Sequence, residues 1–276
     1  YDLAVTNLRS TSWMHRRIDA DYNGWWMELI PTSVIKEIGL SLPVFIKWDD
    51  AEYGLRAKAA GYPTVSLPGA AVWHISWGDK DDLVGWQAYF HERNRVIAAL
   101  LHSPYERGGR LIRESNYMDV KHLISMQYYT EAGRIMALND ILAGPDQLHA
   151  IQPERIKEIR ALAADFTDAV FKPRVDEFPA PGSSKPPRRG QSFQQPSVAK
   201  LVPWALKTLV RQIGLPVSAS KKDRPQAVVA HQDNKWWRMS QYDSAVVSNA
   251  EGTASSWYQR DPGVVRKNLV EATRLH

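Results

Sequence analysis

The segment from Trp25 to Trp77 constrains this chain more than any other: WWMELIPTSVIKEIGLSLPVFIKWDDAEYGLRAKAAGYPTVSLPGAAVWHISW. An apolar run, Leu42 to Trp48, leads into two adjacent carboxylates, Asp49 and Asp50, where a helical pattern starts. Acidic side chains there meet free backbone N–H groups and the positive end of the helix dipole. Glu52 and Arg56 follow one helical turn apart, and Gly61 is the expected left-handed stop. Upstream, Pro31-Thr32-Ser33 open a shorter helix with a hydroxyl cap, ended by Gly39. Residues 25–30, 63–67 and 70–76 read as short strands, the last carrying His74. Residues 1–24 read as a long polar loop.

The rest of the chain reads as mostly helical. Helices are expected over 83–102, 119–143 and 153–167, the last opened by Pro153 as a first-turn proline. Residues 172–199 are rich in Pro, Gly, Ser and Gln and read as a solvated linker or wrapping arm. Residues 201–213 form an amphipathic stretch. Beyond it come a strand-like AVVAH, an aromatic WWRMSQY and a closing helix over 262–274, begun by Asp261-Pro262.

Composition removes several classes of function. The chain has 276 residues and no cysteine, which rules out disulfide frameworks and thiolate metal sites and fits a reducing compartment. No apolar run approaches the length of a membrane span. The first residue is Tyr1, not Met, so a piece of a longer protein is expected. Between Lys172 and Arg224 there are eleven Lys and Arg against three acidic residues, in a chain of overall formal charge +5. The remainder is therefore acidic, and the basic segment implies an anionic partner surface.

Several elements of the segment occur in one order: Ile38-Gly39, Asp49-Asp50-Ala51-Glu52 with Arg56, Ala60-Gly61-Tyr62, Leu67-Pro68, Trp73-His74, and Arg93-Asn94 in the next helix. In this order they resemble the C-terminal part of the catalytic domain of family 2 glycosyltransferases, which have the GT-A fold. With the helical and basic extension, Trp48-Asp49-Asp50 is similar to the polymerising galactofuranosyltransferases of mycobacterial-type cell walls. The resemblance implies an α/β fold class. It divides the chain into a C-terminal GT-A half over 1–78, a helical domain over 79–171, a basic Pro-rich linker and amphipathic segment over 172–226, and a small mixed region over 227–276.

It also implies a chemistry: inverting transfer from UDP-galactofuranose to a polyprenyl-linked galactan, assisted by Mn2+ or Mg2+. A base must take the acceptor hydroxyl's proton, and positive charge must stabilise the leaving diphosphate. Asp50 is the expected base, beside a like charge that raises one member's proton affinity. Asp49 is expected to bind acceptor hydroxyls, and His74 to ligate the metal. Trp25, Trp26, Trp48 and Trp77 are expected sugar platforms, with Glu52, Arg56 and His91 orienting the site.

Plainer readings stand beside each of these. The aspartates can simply cap a helix, His74 can be structural, the tryptophans can be core, and Glu52–Arg56 can be a surface ion pair. His91, Glu92 and Arg93 face either the site or solvent. The nucleotide-binding Asp-x-Asp motif of the family lies N-terminal to this stretch. The strings Asp19-Ala20-Asp21 and Asp79-Lys80-Asp81 read as coincidental, so the chain alone is expected to be inactive.

The basic segment has no nucleic-acid motif. It reads as a linker or, preferred, as peripheral attachment to an anionic cytoplasmic membrane face, with Leu201, Trp204 and Val210 among the cations. A homo-oligomer is expected. The rivals are a family 2 transferase with another sugar donor and a non-catalytic carbohydrate-binding or membrane-docking module.

Overall fold

The computed structural model describes residues 7–67, 69, 70, 72–75, 80, 83–182 and 195–276. It is a mixed α/β structure in which helices dominate and the sheets are small. It divides into two compact units, one of Tyr1–His74 with Asn94–Arg107, the other of Ile75–Arg93 with Gly108–His276.

The first unit is built on α1 (Thr32–Ile38) and α2 (Asp49–Ala59). Gly39 at φ 82° and Gly61 at φ 92° take up the left-handed conformation that the sequence reserves for glycine. No hydroxyl caps α1: Pro31 occupies its N-cap, and neither Thr32 nor Ser33 does the work assigned to it. Residues 25–30 do not form a strand, and their side chains are mostly exposed. The strand partner of this unit comes from the presumed loop instead. β1 (Ile18–Ala20) pairs antiparallel with β2 (Thr64–Ser66), Asp19 opposite Val65. Among the described residues of 70–76 there is no strand.

One glycine is dictated by packing. A Cβ on Gly54 would lie 2.5 Å from Tyr22 Cβ and 2.9 Å from its Cα, so α2 can approach the segment after β1 only with a hydrogen there.

The second unit contains α4 (Leu111–Ile124), α5 (Tyr128–Leu142) and α6 (Leu148–Leu162). The helix expected over 119–143 is thus two helices, broken at Met126 with φ 63°. Helix α6 starts five residues before Pro153, after a 3-10 turn at Pro145–Gln147. Between α1–α2 and these, α3 (Gln87–His102) has its first part in the second unit and its last part in the first.

After α7 (Val198–Gly214) and α8 (Ala219–Asp223) comes the strand expected in AVVAH, and after α9 (Trp236–Met239) come two strands that sequence patterning did not suggest. β3 (Ala227–Val229) runs parallel to β4 (Ser244–Ser248), which pairs antiparallel with β5 (Ser255–Gln259). The sheet and the helices share a core of Leu123, Met126, Tyr128, Val229, Met239, Ala245, Val247, Tyr258 and Val265. The closing helix α10 (Pro262–Leu275) starts as expected: Asp261 Oδ1 accepts from the N–H groups of Gly263 at 2.7 Å and Val264 at 3.1 Å.

Candidate functional site

The chain leading into α2 is strained. Phe45, Lys47 and Trp48 lie at φ 77°, 65° and 65°, a conformation costly for residues other than glycine. What holds it is Asn94 of α3, whose buried amide nitrogen reaches the carbonyls of Val44 at 3.0 Å, Ile46 at 2.7 Å and Lys47 at 2.9 Å. Trp48 is the N-cap of α2, and the acidic pair begins the helix, with Asp50 Oδ1 accepting from the Ala51 N–H at 2.7 Å. Asp49 is the carboxyl pushed up from its ordinary range, first by partial burial and then by the charge of Asp50.

A third carboxylate, which the sequence did not single out, joins them. Glu28 is pushed up by partial burial and by the charge of Asp50, while a hydrogen bond from Trp25 opposes the shift. Trp25 stands edge-on to Tyr53, ring centroids 5.6 Å apart. Glu28, Tyr53 and Gly54 also line a cleft of about 620 Å3 with Met27, Tyr62 and Val65. Glu28 and Tyr53 thus link this cleft to Asp50 and to Trp25, neither of which is among its lining residues.

Glu52 and Arg56 are not a surface ion pair. Glu52 is 3% exposed, and its carboxylate accepts from Arg56 Nε and Nη2, both at 3.1 Å, with His102 Nε2 also at 3.1 Å. Arg56 then donates to the carbonyls of Ile38 at 2.5 Å and Leu40 at 3.0 Å. Tyr53 adds its hydroxyl to Gly39 O at 3.2 Å. This network ties α2 to the end of α1.

His74 is exposed, and its ring tilts against Trp26 with centroids 4.6 Å apart. Among the described residues no group of three or more His, Asp or Glu side chains could hold a metal ion. His74 can supply one donor, and the described residues do not complete a set. Trp77, Asp79 and Asp81 fall outside the described residues. Asp19 and Asp21 pair instead with Arg17 and Lys58, on the exposed β1 edge.

His91 belongs to the second unit and is half-buried. Glu92 and Arg93 face neither site nor solvent. Arg93 is 1% exposed, over the rings of Tyr89 and Phe90, and Glu92 is 0% exposed. Glu92 pairs with Arg134 Nη1 at 2.6 Å, whose Nε reaches Asp119 Oδ1 at 2.6 Å.

The basic segment is partly spent inside the fold. The Lys172 backbone pairs with Ser255, and Arg174 faces Asp176 and Glu177. Asp243 collects Arg211 at 2.6 Å, Lys221 at 2.5 Å and Arg260 at 2.6 Å. Trp204 packs edge-on to Trp236, ring centroids 5.2 Å apart, and is no outward anchor. Lys200 and Lys207 remain exposed on α7, beside Val202, Leu206 and Val210, which are 68%, 59% and 62% exposed. No helix among the described residues is long and apolar enough to cross a membrane.

Comparison with known proteins places these features. Residues 2–99 match the family described as Glycosyltransferase like family 2. Over 266 residues the chain is 41% identical to the Galactofuranosyltransferase GlfT2 of Mycobacterium tuberculosis, covering 95% of this chain and 40% of that protein. Over 272 residues it is 39% identical to the Galactofuranosyltransferase GlfT2 of Mycolicibacterium smegmatis, covering 96% of this chain and 41% of that protein. The chain thus spans about two fifths of the length of these relatives. Residues 111–276, more than half of it, match the family described as Galactofuranosyltransferase-2, domain 3, and the chain belongs to that family.

Proposed function

We propose that this chain forms the acceptor side of an inverting galactofuranosyltransferase that extends a galactan from UDP-galactofuranose. The observation that carries the reading is the acidic pair at the start of α2, grouped with Glu28 and Trp25 and set by a strained turn that Asn94 pins. Capping a helix needs one acceptor and no strain, whereas positioning carboxylates against a sugar hydroxyl uses both.

In this reading Asp50 takes the proton of the acceptor hydroxyl as its oxygen attacks the anomeric carbon. The bond to the diphosphate breaks and the electron pair leaves with the phosphate oxygen. Asp49 and Glu28 hold neighbouring hydroxyls. Trp25, Trp26 and Trp48 offer ring surface to furanose C–H faces, with Trp77 as a further platform. A divalent metal would supply charge to the leaving diphosphate, with His74 as one ligand, its other donors coming from outside the described residues. The acceptor is a polyprenyl-linked galactan, reached from a peripheral position at an anionic membrane.

The test is sugar transfer from UDP-galactofuranose to a short galactofuranosyl acceptor, with manganese, by the protein that contains this chain. Asp50→Asn is expected to lower turnover at least about a hundredfold with donor binding retained. Near-normal turnover would move the base to Asp49 or Glu28. A wild-type protein inactive with this donor but active with another nucleotide sugar would remove the galactofuranose assignment.

A further inference from the structure

The second unit contains a cavity of about 310 Å3 that the proposed transfer does not use. Its wall includes Trp86, Tyr129, Asp168, Asn234, Ser256 and Tyr258, none from the unit that carries Asp49 and Asp50. Two of these side chains hold buried polar atoms with no hydrogen-bond partner: Asn234 Oδ1 and Ser256 Oγ. Ser256 is 1% exposed, so water does not serve it from the outer surface. Leaving such an atom unpaired costs about 1–3 kcal/mol, and native folds keep few of them. Two on one cavity wall point to something that enters and pairs with them.

The lining also says what enters. Asn234 offers an acceptor and Ser256 a hydroxyl that can donate or accept, a pair that alcohol groups satisfy. Asp168, whose Oδ2 accepts from the Tyr129 N–H at 3.1 Å, is pushed up to about 7 by burial and can donate when protonated. Trp86, Tyr129 and Tyr258 give apolar ring surface, with the Arg160 guanidinium 4.7 Å from the Trp86 ring centroid. Gly85, at φ 67° and donating to Thr130 Oγ1 at 2.9 Å, sets where Trp86 stands. The acidic and basic side chains of the lining are Arg160, Asp168 and His231, so an anionic occupant is tested directly by titration with phosphate. The volume lies at the lower end of the range for small-molecule sites, about 300–1,000 Å3.

We infer that this cavity binds a neutral saccharide unit, with Asn234 and Ser256 hydrogen-bonding its hydroxyls and Trp86 and Tyr129 packing on its C–H surface. If the proposed function holds, that unit is a galactofuranosyl residue of the growing chain; the furanose assignment rests on that reading, and saccharide binding itself does not. A second holding point on an acceptor raises the local concentration of its free end.

The test is titration of the chain with a galactofuranosyl disaccharide, a galactopyranosyl disaccharide and inorganic phosphate, read by calorimetry and ligand-observed NMR. Asn234→Leu and Trp86→Ala, on separate elements, are expected to weaken saccharide binding at least about tenfold. Ser256→Ala carries the sharper signature. It removes an unpaired buried hydroxyl, so thermal stability should hold or rise while saccharide affinity falls, which a merely structural serine would not do.

Equal binding of the two disaccharides would support the cavity and count against the furanose assignment. Saccharide binding unchanged in all three cavity variants, no saccharide binding at millimolar concentration, or displacement of the sugar by phosphate would overturn the inference.

Discussion

Asn94 donates its side-chain amide to the Ile46 carbonyl at 2.7 Å, across 48 residues of sequence. That bond and its two neighbours fix the backbone on which Trp48, Asp49 and Asp50 are mounted. Asn94→Ala leaves three carbonyls short of a donor, and a loss of about 1–3 kcal/mol is expected in urea denaturation of the first unit. Asn94→Asp, which has no amide hydrogens and adds a buried charge, should be worse. A milder effect for Asp than for Ala would mean that the amide does not hold the turn.

Gly54→Ala should destabilise by about 1–3 kcal/mol, because its Cβ would stand 2.5 Å from Tyr22 Cβ. Gly133→Ala in α5 is the control. Its nearest neighbours lie at 3.8 Å and its backbone is helical, so about 0.5–1 kcal/mol of stabilisation is expected. Thermal melts of the two variants should move in opposite directions.

Asp168 makes the second unit sensitive to pH. Its folded pKa, about 7, is raised above the ordinary 3.8 by burial. Its contribution to stability is therefore complete below about pH 4 and is lost as pH rises through 7. Asp168→Asn keeps an acceptor for the Tyr129 N–H and removes the charge. The variant should be more stable than wild type at pH 8 and nearly equal to it at pH 4, as read by near-UV circular dichroism. A constant difference across that window would show that Asp168 is not the titrating group.

Arg134→Met should cost about 3–5 kcal/mol, because the carboxylates of Glu92 and Asp119 would remain buried without their partner. Glu131 is buried beside them and is pushed well above its ordinary value, first by burial and then by the charge of Asp119. Glu131→Gln should be tolerated at pH 7, and chemical denaturation compares the two variants directly.

Vesicles containing anionic lipid are expected to retain the chain at low salt, through Lys200 and Lys207 with the apolar side chains beside them. Each basic residue near such a surface contributes about 1 kcal/mol. Lys200→Ala/Lys207→Ala should weaken retention in flotation assays more at low salt than at high. Retention that ignores lipid charge would remove the electrostatic part of the attachment.

What could be read from sequence was what is set locally. Helix α2 and helix α10 carry their own start signals, Asp49-Asp50 and Asp261-Pro262, within a turn of the residues they organise. The break at Met126 could not be seen, because a methionine in a left-handed turn is held by packing and carries no glycine or proline mark. β4 was missed because Ser244, Ala245, Val246 and Val247 are all buried, which abolishes the alternation a half-exposed strand shows. β1 was missed for the opposite reason, all three of its residues being exposed. In the site, Asp49 and Asp50 stood out by adjacency, whereas the link of Glu28 to Asp50 exists only once segment 25–30 has folded beside α2.

Helix α7 is anchored from its polar side. Gln212 is 0% exposed and donates to Ile124 O and Ser240 O, while Arg260 closes the helix end through the carbonyls of Arg211 and Leu215. Val202, Leu206 and Val210, one turn apart, are left pointing outward. A surface helix turned this way round makes handling of the chain depend on its concentration. Crowding brings such stripes together, and mild detergent, rather than added salt, is what will keep preparations dispersed.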